Sequence, residues 1–390
     1  MSKRVAVIGA GITGITTAYY LAKKGYSVTV YEQERYPAMK TSYANGGQIS
    51  VSNSEVWTTW SNVKKGIKWV FTKDAPLLIR PRLDYKMFKW MFKFLYHTII
   101  GSYKNNTTKT VKMGLESREL YEQIRQDEGI YFDASKCGIL HFYKDETYWD
   151  NAQKVTELYN QNGLDREEVN PAYLPVVDPA LSDIKGVVGA TITGSDWVGD
   201  IHKFCYELAQ ILENKYKVKF KYNTSPDVNL LLSIDGFDNV VISAGVGSVE
   251  LAKQVGDTLD IYPVKGYSIT INNVDPRYLP KVSLLDDQAK IVTASLGNRF
   301  RVAGTAELTG ENYDIRHDRV KPLLDWVHTN FPKINTHDYT SWACLRPMTP
   351  NMMPITKRSD KNSNVFYNTG HGHLGWTLGP VTAKQLAEMI

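Results

Sequence analysis

The run KRVAVIGAGITGITTAYYLAKKGYSVTVYE, residues 3–32, decides how the rest of the chain is read. Residues 4–8 are apolar and β-rich, the pattern of a parallel strand buried on both faces. Gly9, Gly11 and Gly14 follow as GxGxxG and open a helical stretch that Gly25 stops. A second strand over 27–31 ends on Glu32, eighteen residues after Gly14. Gly9 permits a tight turn, Gly11 lets the backbone approach a pyrophosphate, and Gly14 lets helix and strand pack closely. The helix start offers unpaired N–H groups and a positive dipole end to phosphates. Glu32 is placed to accept from a ribose 2′-hydroxyl, and an acid there disfavours a 2′-phosphate, which favours NAD or FAD over NADP. The rival explanation is an ordinary helix–strand turn with three fortuitous glycines. Strand, glycines, helix, strand and terminal acid in this order outweigh it.

At 390 residues the chain exceeds one ordinary core, so two lobes are expected. Its net charge of +5 is too small to indicate nucleic acid. Cys137, Cys205 and Cys344 are far apart, without a CxxC pair, which argues against a zinc site, a disulfide framework or a redox disulfide; no metal is expected. Lys3 and Arg4 before an apolar run imitate a secretory leader, but the glycine spacing marks a strand of the mature fold. No window holds eighteen uninterrupted apolar residues, so no spanning helix is expected. No second GxGxxG follows, since Gly245-Val246-Gly247 lacks a third glycine. One tightly held dinucleotide, taking electrons directly from substrate, is the reading.

Residues 57–112 change character, with twelve Lys or Arg against Asp74 and Asp84 and four tryptophans, Trp57, Trp60, Trp69 and Trp90. Within them 85–100 reads as a helix with Lys86, Lys89, Lys93 and His97 on one stripe and Tyr85, Phe88, Phe92, Leu95 and Ile99 on another. Such a helix lies in a bilayer interface or roofs its own core with a solvated lysine face. Residues 168–181 hold three prolines and mark a crossing between lobes, while 239–243 reads as another parallel strand. Residues 262–271 and 299–305 read as antiparallel strands of a second sheet. Near the end, NTGHGHLGWTLGP (368–380) is a glycine-rich loop entering a helix over 381–390, with Thr377 as N-cap and Pro380 in the first turn. That helix start is a second anion site, fit for the charge a reduced flavin carries. His371 and His373 are candidate bases there, or else merely pack beside the loop.

The chain resembles the D-amino-acid-oxidase superfamily of FAD-dependent oxidoreductases, and within it the small-subunit type of D-amino acid dehydrogenase. The resemblance rests on TSYANGGQIS (41–50), KKGIKWVFTKDAPLLIRP (64–81), YPVKGYSIT (262–270), LRPMTP (345–350) and GHGHLGWTLGP (370–380). It implies an α/β fold, a Rossmann-like FAD-binding domain interleaved with an α+β substrate domain carrying an antiparallel sheet. The FAD-binding parts are expected at 1–55, 168–255 and 338–390, and the substrate parts at 56–167 and 256–337. FAD would be held by Gly9, Gly11, Gly14 and Glu32, with Thr41 and Ser42 on the pyrophosphate side. Asn45, Gly46, Gly47 and Gln48 would run along the flavin, Gly372, Leu374, Gly375, Trp376 and Thr377 would reach its pyrimidine edge, and Ala244 and Gly245 would lie under the adenosine.

The resemblance implies a substrate-carboxylate clamp at Arg346, and a guanidinium fork suits that task where an ammonium does not. Tyr267 and His371 are the other expected pocket contacts. The implied reaction is oxidative deamination of D-amino acids to 2-oxo acids and ammonia by hydride transfer to flavin N5. Its electrons pass to a quinone or other membrane acceptor, in a cytoplasmic protein with peripheral membrane contact through 85–100. An oxygen-using oxidase of glycine, sarcosine or imino acids is the alternative, and a flavin-binding partner protein without chemistry is a more distant one. Three departures stand out. Pro226 falls where relatives place a valine on adenine, and Asn351-Met352 replaces the Asp-Gly of PDG. Cys344 falls where sarcosine oxidases bind flavin covalently, though a buried small hydrophobe is the other reading.

Overall fold

The computed structural model describes residues 2–70, 77–79 and 84–390. Lys73, Asp74, Arg80 and Arg82, counted above in the basic segment, lie outside the described residues.

The opening strand Arg4–Ile8 sits inside a six-stranded sheet, paired in parallel with Ser27–Tyr31 on one side and Asn239–Ile242 on the other. Lys219–Lys221 extends one edge, and Val365–Thr369 with the antiparallel Ile355–Arg358 extends the other. Strand alternation explains the continuous apolar run. Val5 and Val7 enter a core shared with the helices Ile12–Lys23, Ile201–Asn214 and Gly375–Met389. Ala6 and Ile8 enter one shared with Val228–Ser233 and Ser248–Gln254. The chain leaves the middle strand where neighbours on its two sides come from opposite halves of the sequence, the position at which such sheets bind ligands.

The second sheet runs through eight strands in order, with Leu77–Ile79 added beside Arg299–Leu308. Its spine is Tyr262–Ile271, antiparallel to Tyr339–Met348 and to Arg299–Leu308, the latter with a shifted register between Lys265 and Tyr267. The helix His317–Asn330 covers one face of this sheet through Val320, Leu323 and Val327. The expected boundaries shift in two places. Gly189–Thr193 and Tyr339–Met348, assigned above to FAD-binding parts, pair with second-sheet strands and belong to that sheet. Hydrogen-bond register, invisible in hydropathy, decides this.

The closing helix also differs from expectation. It starts at Gly375, six residues early, so Thr377 lies inside it and Pro380 falls beyond its first turn. Thr377 caps nothing; its hydroxyl oxygen accepts from the Ser50 N–H at 3.2 Å. Proline has no N–H for the carbonyl four residues back. That carbonyl, of Trp376, instead accepts from the Tyr121 hydroxyl at 2.5 Å. The helix continues through its proline because a neighbouring helix supplies the missing donor.

Candidate functional site

The site grows from the first glycine turn. Gly9 has φ +104°, and a Cβ on it would meet the Ser243 carbonyl oxygen at 2.6 Å. A Cβ on Gly14 would lie 1.8 Å from the Gly9 carbonyl oxygen, so Gly14 serves packing, as expected. The helix Ile12–Lys23 starts at Gly11 without a side-chain cap hydrogen bond. Its first N–H groups and the Ser42 hydroxyl, which accepts from Ile12 N at 3.1 Å, therefore face a cleft of about 360 Å³. Gly9, Gly11, Glu32, Thr41, Ser42, Ala244 and Gly245 line this cleft, and so does Pro226. Glu32 is buried with one carboxylate oxygen accepting from Ala10 N (2.7 Å) and the other from Glu34 N (2.9 Å). Burial lifts its pKa, while those two N–H groups oppose the rise.

Thr41, Ser42, Gly372 and Gly375 line both this cleft and a larger cavity of about 1360 Å³. Asn45, Gly46, Gln48, Leu374, Trp376 and Thr377 line the larger one, together with Arg346. Gly47 does not reach it: its left-handed backbone packs toward Ala294, whose Cβ lies 2.9 Å from where a Gly47 Cβ would be. The residues present fit FAD. A narrow cleft with a helix start and a buried acid shares lining residues with a wide, mostly apolar cavity bordered by a second helix start. FAD bound here would supply the two-electron acceptor, and the glycine turn, Glu32 and the two helix starts are the groups that would hold it.

Arg346 reaches the cavity from Tyr339–Met348 by lying flat across Gly266 of the neighbouring strand. A Cβ on Gly266 would sit 2.3–2.5 Å from the guanidinium atoms. One guanidinium nitrogen donates to the Thr305 carbonyl at 3.2 Å. Thr305 aims that carbonyl from φ +56°, which is costly for a β-branched residue. No carboxylate among the described residues pairs with Arg346, and burial pulls its pKa down to about 10. A guanidinium on a cavity wall without a counter-charge is a group that a carboxylate ligand would pair.

The two other expected pocket residues are placed differently from expectation. Strand alternation turns the Tyr267 side chain toward the core with Ile269, Val302 and Leu323, where its hydroxyl donates to Glu307 at 3.2 Å. Tyr267 borders the cavity, but its donor is committed to Glu307. His371 lines the nucleotide cleft instead of the cavity, and its Nε2 meets the Thr382 hydroxyl at 2.9 Å. Burial lowers its pKa to about 3, so it is a neutral structural imidazole. The departure at Met352 has a physical form: this residue adopts φ +62° where glycine costs least, and buries its side chain beside Met87 and Met348. Cys344 lines the cavity, 3.4 Å from the Thr41 hydroxyl, with its thiol pKa raised by burial.

Sequence reasoning missed a polar network on the far cavity wall. His141 lies with Nε2 3.1 Å from the Ser52 hydroxyl and Nδ1 3.4 Å from Asp287, which Lys290 pairs at 2.5 Å. The order imitates a hydrolase triad. However, the Ser52 hydroxyl is buried and shared with Ser50, and the Ser52 N–H, an expected oxyanion donor, goes to Asp196 at 2.9 Å. The network braces the wall. Gly266 was findable, because an isolated glycine in an apolar strand signals close approach.

These features define an FAD-dependent oxidoreductase built on a dinucleotide-binding sheet. Residues 4–389 match the DAO family, described as FAD dependent oxidoreductase, and the chain belongs to it. It is 45% identical to "D-amino acid dehydrogenase 3" of Mesorhizobium japonicum over 99% of this chain and 97% of that one. It is 37% identical to "D-amino acid dehydrogenase" of Dechloromonas aromatica, over 99% and 96% respectively. The solved glycine oxidase from Geobacillus kaustophilus shares the fold with a TM-score of 0.74 at 18% identity, over 99% of this chain and 95% of that one. The α/β fold, the FAD cofactor and the oxidoreductase class read from the sequence agree with these findings.

Proposed function

We propose that the protein oxidatively deaminates D-amino acids to 2-oxo acids and ammonia. Arg346 holds the substrate carboxylate, and the Cα hydrogen leaves with its electron pair toward the flavin N5 edge. The observation that carries this reading is Arg346, without a carboxylate partner among the described residues and laid over Gly266 in a cavity that shares Thr41, Ser42, Gly372 and Gly375 with the nucleotide cleft. Holding carboxylate and Cα in one orientation supplies several kcal/mol of barrier reduction. The names of the relatives support the D configuration. Anaerobic titration of the purified enzyme with paired D- and L-amino acids is the test. Bleaching of the flavin by D-amino acids is expected, and bleaching by L-amino acids alone overturns the reading.

The acceptor is proposed to be a membrane quinone. Among the described residues no helix is long and apolar enough to cross a membrane, so contact is through a surface. The helix Tyr85–Ile99 supports this with a face reversed from the expected one. Lys86 pairs with Glu250, and Lys89 and Lys93 with Asp260, so the lysines bind their own protein. The aromatic side is what faces outward, with Tyr85 80% and Phe92 76% exposed. Turnover with a soluble quinone, and peroxide formation well below turnover in air, is the expected result; stoichiometric peroxide supports the oxygen-using alternative instead.

A further inference from the structure

Arg346 shares its cavity with a histidine whose ring nitrogens find no hydrogen-bond partner among the described residues. His373 lies in the loop between Val365–Thr369 and Gly375–Met389, one residue after Gly372, whose φ is +57°. That loop sends His371 to the nucleotide cleft and His373 to the larger cavity. The His373 ring stacks on Trp57 with centroids 4.7 Å apart and planes 17° apart. Neither ring nitrogen has a hydrogen-bond partner. The Asn53 backbone is near enough to favour a protonated ring but does not meet hydrogen-bond geometry. Buried polar atoms left unpaired are costly and rare, so an orphaned imidazole facing a ligand cavity points to a group that arrives with the ligand.

We propose that His373 accepts the proton of the substrate's α-ammonium group once Arg346 holds the carboxylate. The proposal rests on the amino-acid reading of the site. An ammonium nitrogen has no lone pair to push the Cα–H electron pair out, so a proton must leave first. The N–H bond breaks with its pair retained on nitrogen, and the proton bonds to a His373 ring nitrogen. Ammonium becomes amine, imidazole becomes imidazolium, and total charge is unchanged. Burial and then the Arg346 charge lower the His373 pKa to about 4, which keeps the lone pair available at neutral pH. Arg346 is the charged group that acts on this ring; Trp57 and Asn53 beside it are neutral. A carboxylate bound to Arg346 cancels the positive charge opposing protonation, so substrate binding itself strengthens the base.

The test is the pH dependence of kcat/KM for His373→Gln and His373→Asn in the FAD-loaded enzyme. At pH 7 a fall of roughly 100-fold is expected, the size general-base removal commonly produces. At alkaline pH, where the amino acid arrives already deprotonated, activity should return to within several-fold of wild type. FAD content should stay unchanged, and so should benzoate affinity at pH 8, a probe of the Arg346 clamp at a pH where the His373 ring is neutral with or without benzoate. A loss equal at every pH, or no loss at pH 7, overturns the proposal. If neither variant retains FAD, benzoate binding to wild type at pH 6 should take up protons, and absence of uptake overturns it. A wild-type flavin that no amino acid bleaches defeats the substrate reading instead, so the two failures are distinguishable.

Discussion

Gly266 matters to the proposed clamp as much as Arg346 does. Its missing side chain is the space the guanidinium occupies, with Arg346 atoms 2.3–2.5 Å from where a Cβ would stand. A methyl there is incompatible with the observed arginine position, while the strand backbone itself tolerates alanine. Gly266→Ala should therefore raise the KM for a D-amino acid at least tenfold, with FAD still bound at full occupancy. Steady-state kinetics with flavin absorbance check this, and an unchanged KM would remove the guanidinium from carboxylate binding. Residues of this kind were half legible. LRP drew attention to Arg346, while Tyr267 was offered beside it as a pocket contact, because a strand's two faces cannot be told apart in a run that is buried on both.

Helices carry the next level of organisation, and two of them correct the sequence pattern. The closing helix keeps its proline because Tyr121, on the helix Tyr103–Glu128, supplies the donor for the Trp376 carbonyl. Tyr121→Phe leaves that buried carbonyl unsatisfied and should lower stability by about 1–3 kcal/mol, read as a fall in urea midpoint. No such donor is visible in a local window, which is why the sequence pointed to a later helix start. The helix Tyr85–Ile99 shows the same limit. Its amphipathic pattern was plain, but which stripe meets the protein depended on Glu250 and Asp260, more than 150 residues away. Phe88→Glu with Phe92→Glu should weaken co-sedimentation with anionic lipid vesicles while sparing D-amino acid-driven flavin bleaching. Unchanged binding would return this face to another role.

Taken whole, the molecule holds several imidazoles neutral. Burial lowers the pKa of His141 to about 4, assisted by Arg166, that of His371 to about 3, and that of His373 to about 4. An unfolded histidine titrates near 6.5, so below that pH the unfolded chain binds protons that the folded chain refuses. Stability is therefore complete above about 6.5 and is lost as pH falls toward 4, by up to roughly 2 kcal/mol per histidine at pH 5. The urea midpoint should drop clearly between pH 7 and pH 5, and a flat profile would mean that these rings protonate in place. The parallel sheet with its glycine turn was legible from the first thirty residues, since strand, glycine turn and acid are contiguous there. Lobe boundaries were not, because they follow the pairing of Gly189–Thr193 and Tyr339–Met348 with distant strands.

The helix Gly375–Met389 also rests on Ile12–Lys23, where a Cβ on Gly379 would meet Ile12 at 3.0 Å and the Thr16 hydroxyl donates to the Gly379 carbonyl across 363 residues. During synthesis, then, the helix beginning at Ile12 waits for the one beginning at Gly375. A nascent chain exposes its glycine turn long before residues 375–389 emerge to pack against it, so firm uptake of the yellow cofactor is expected only after they have.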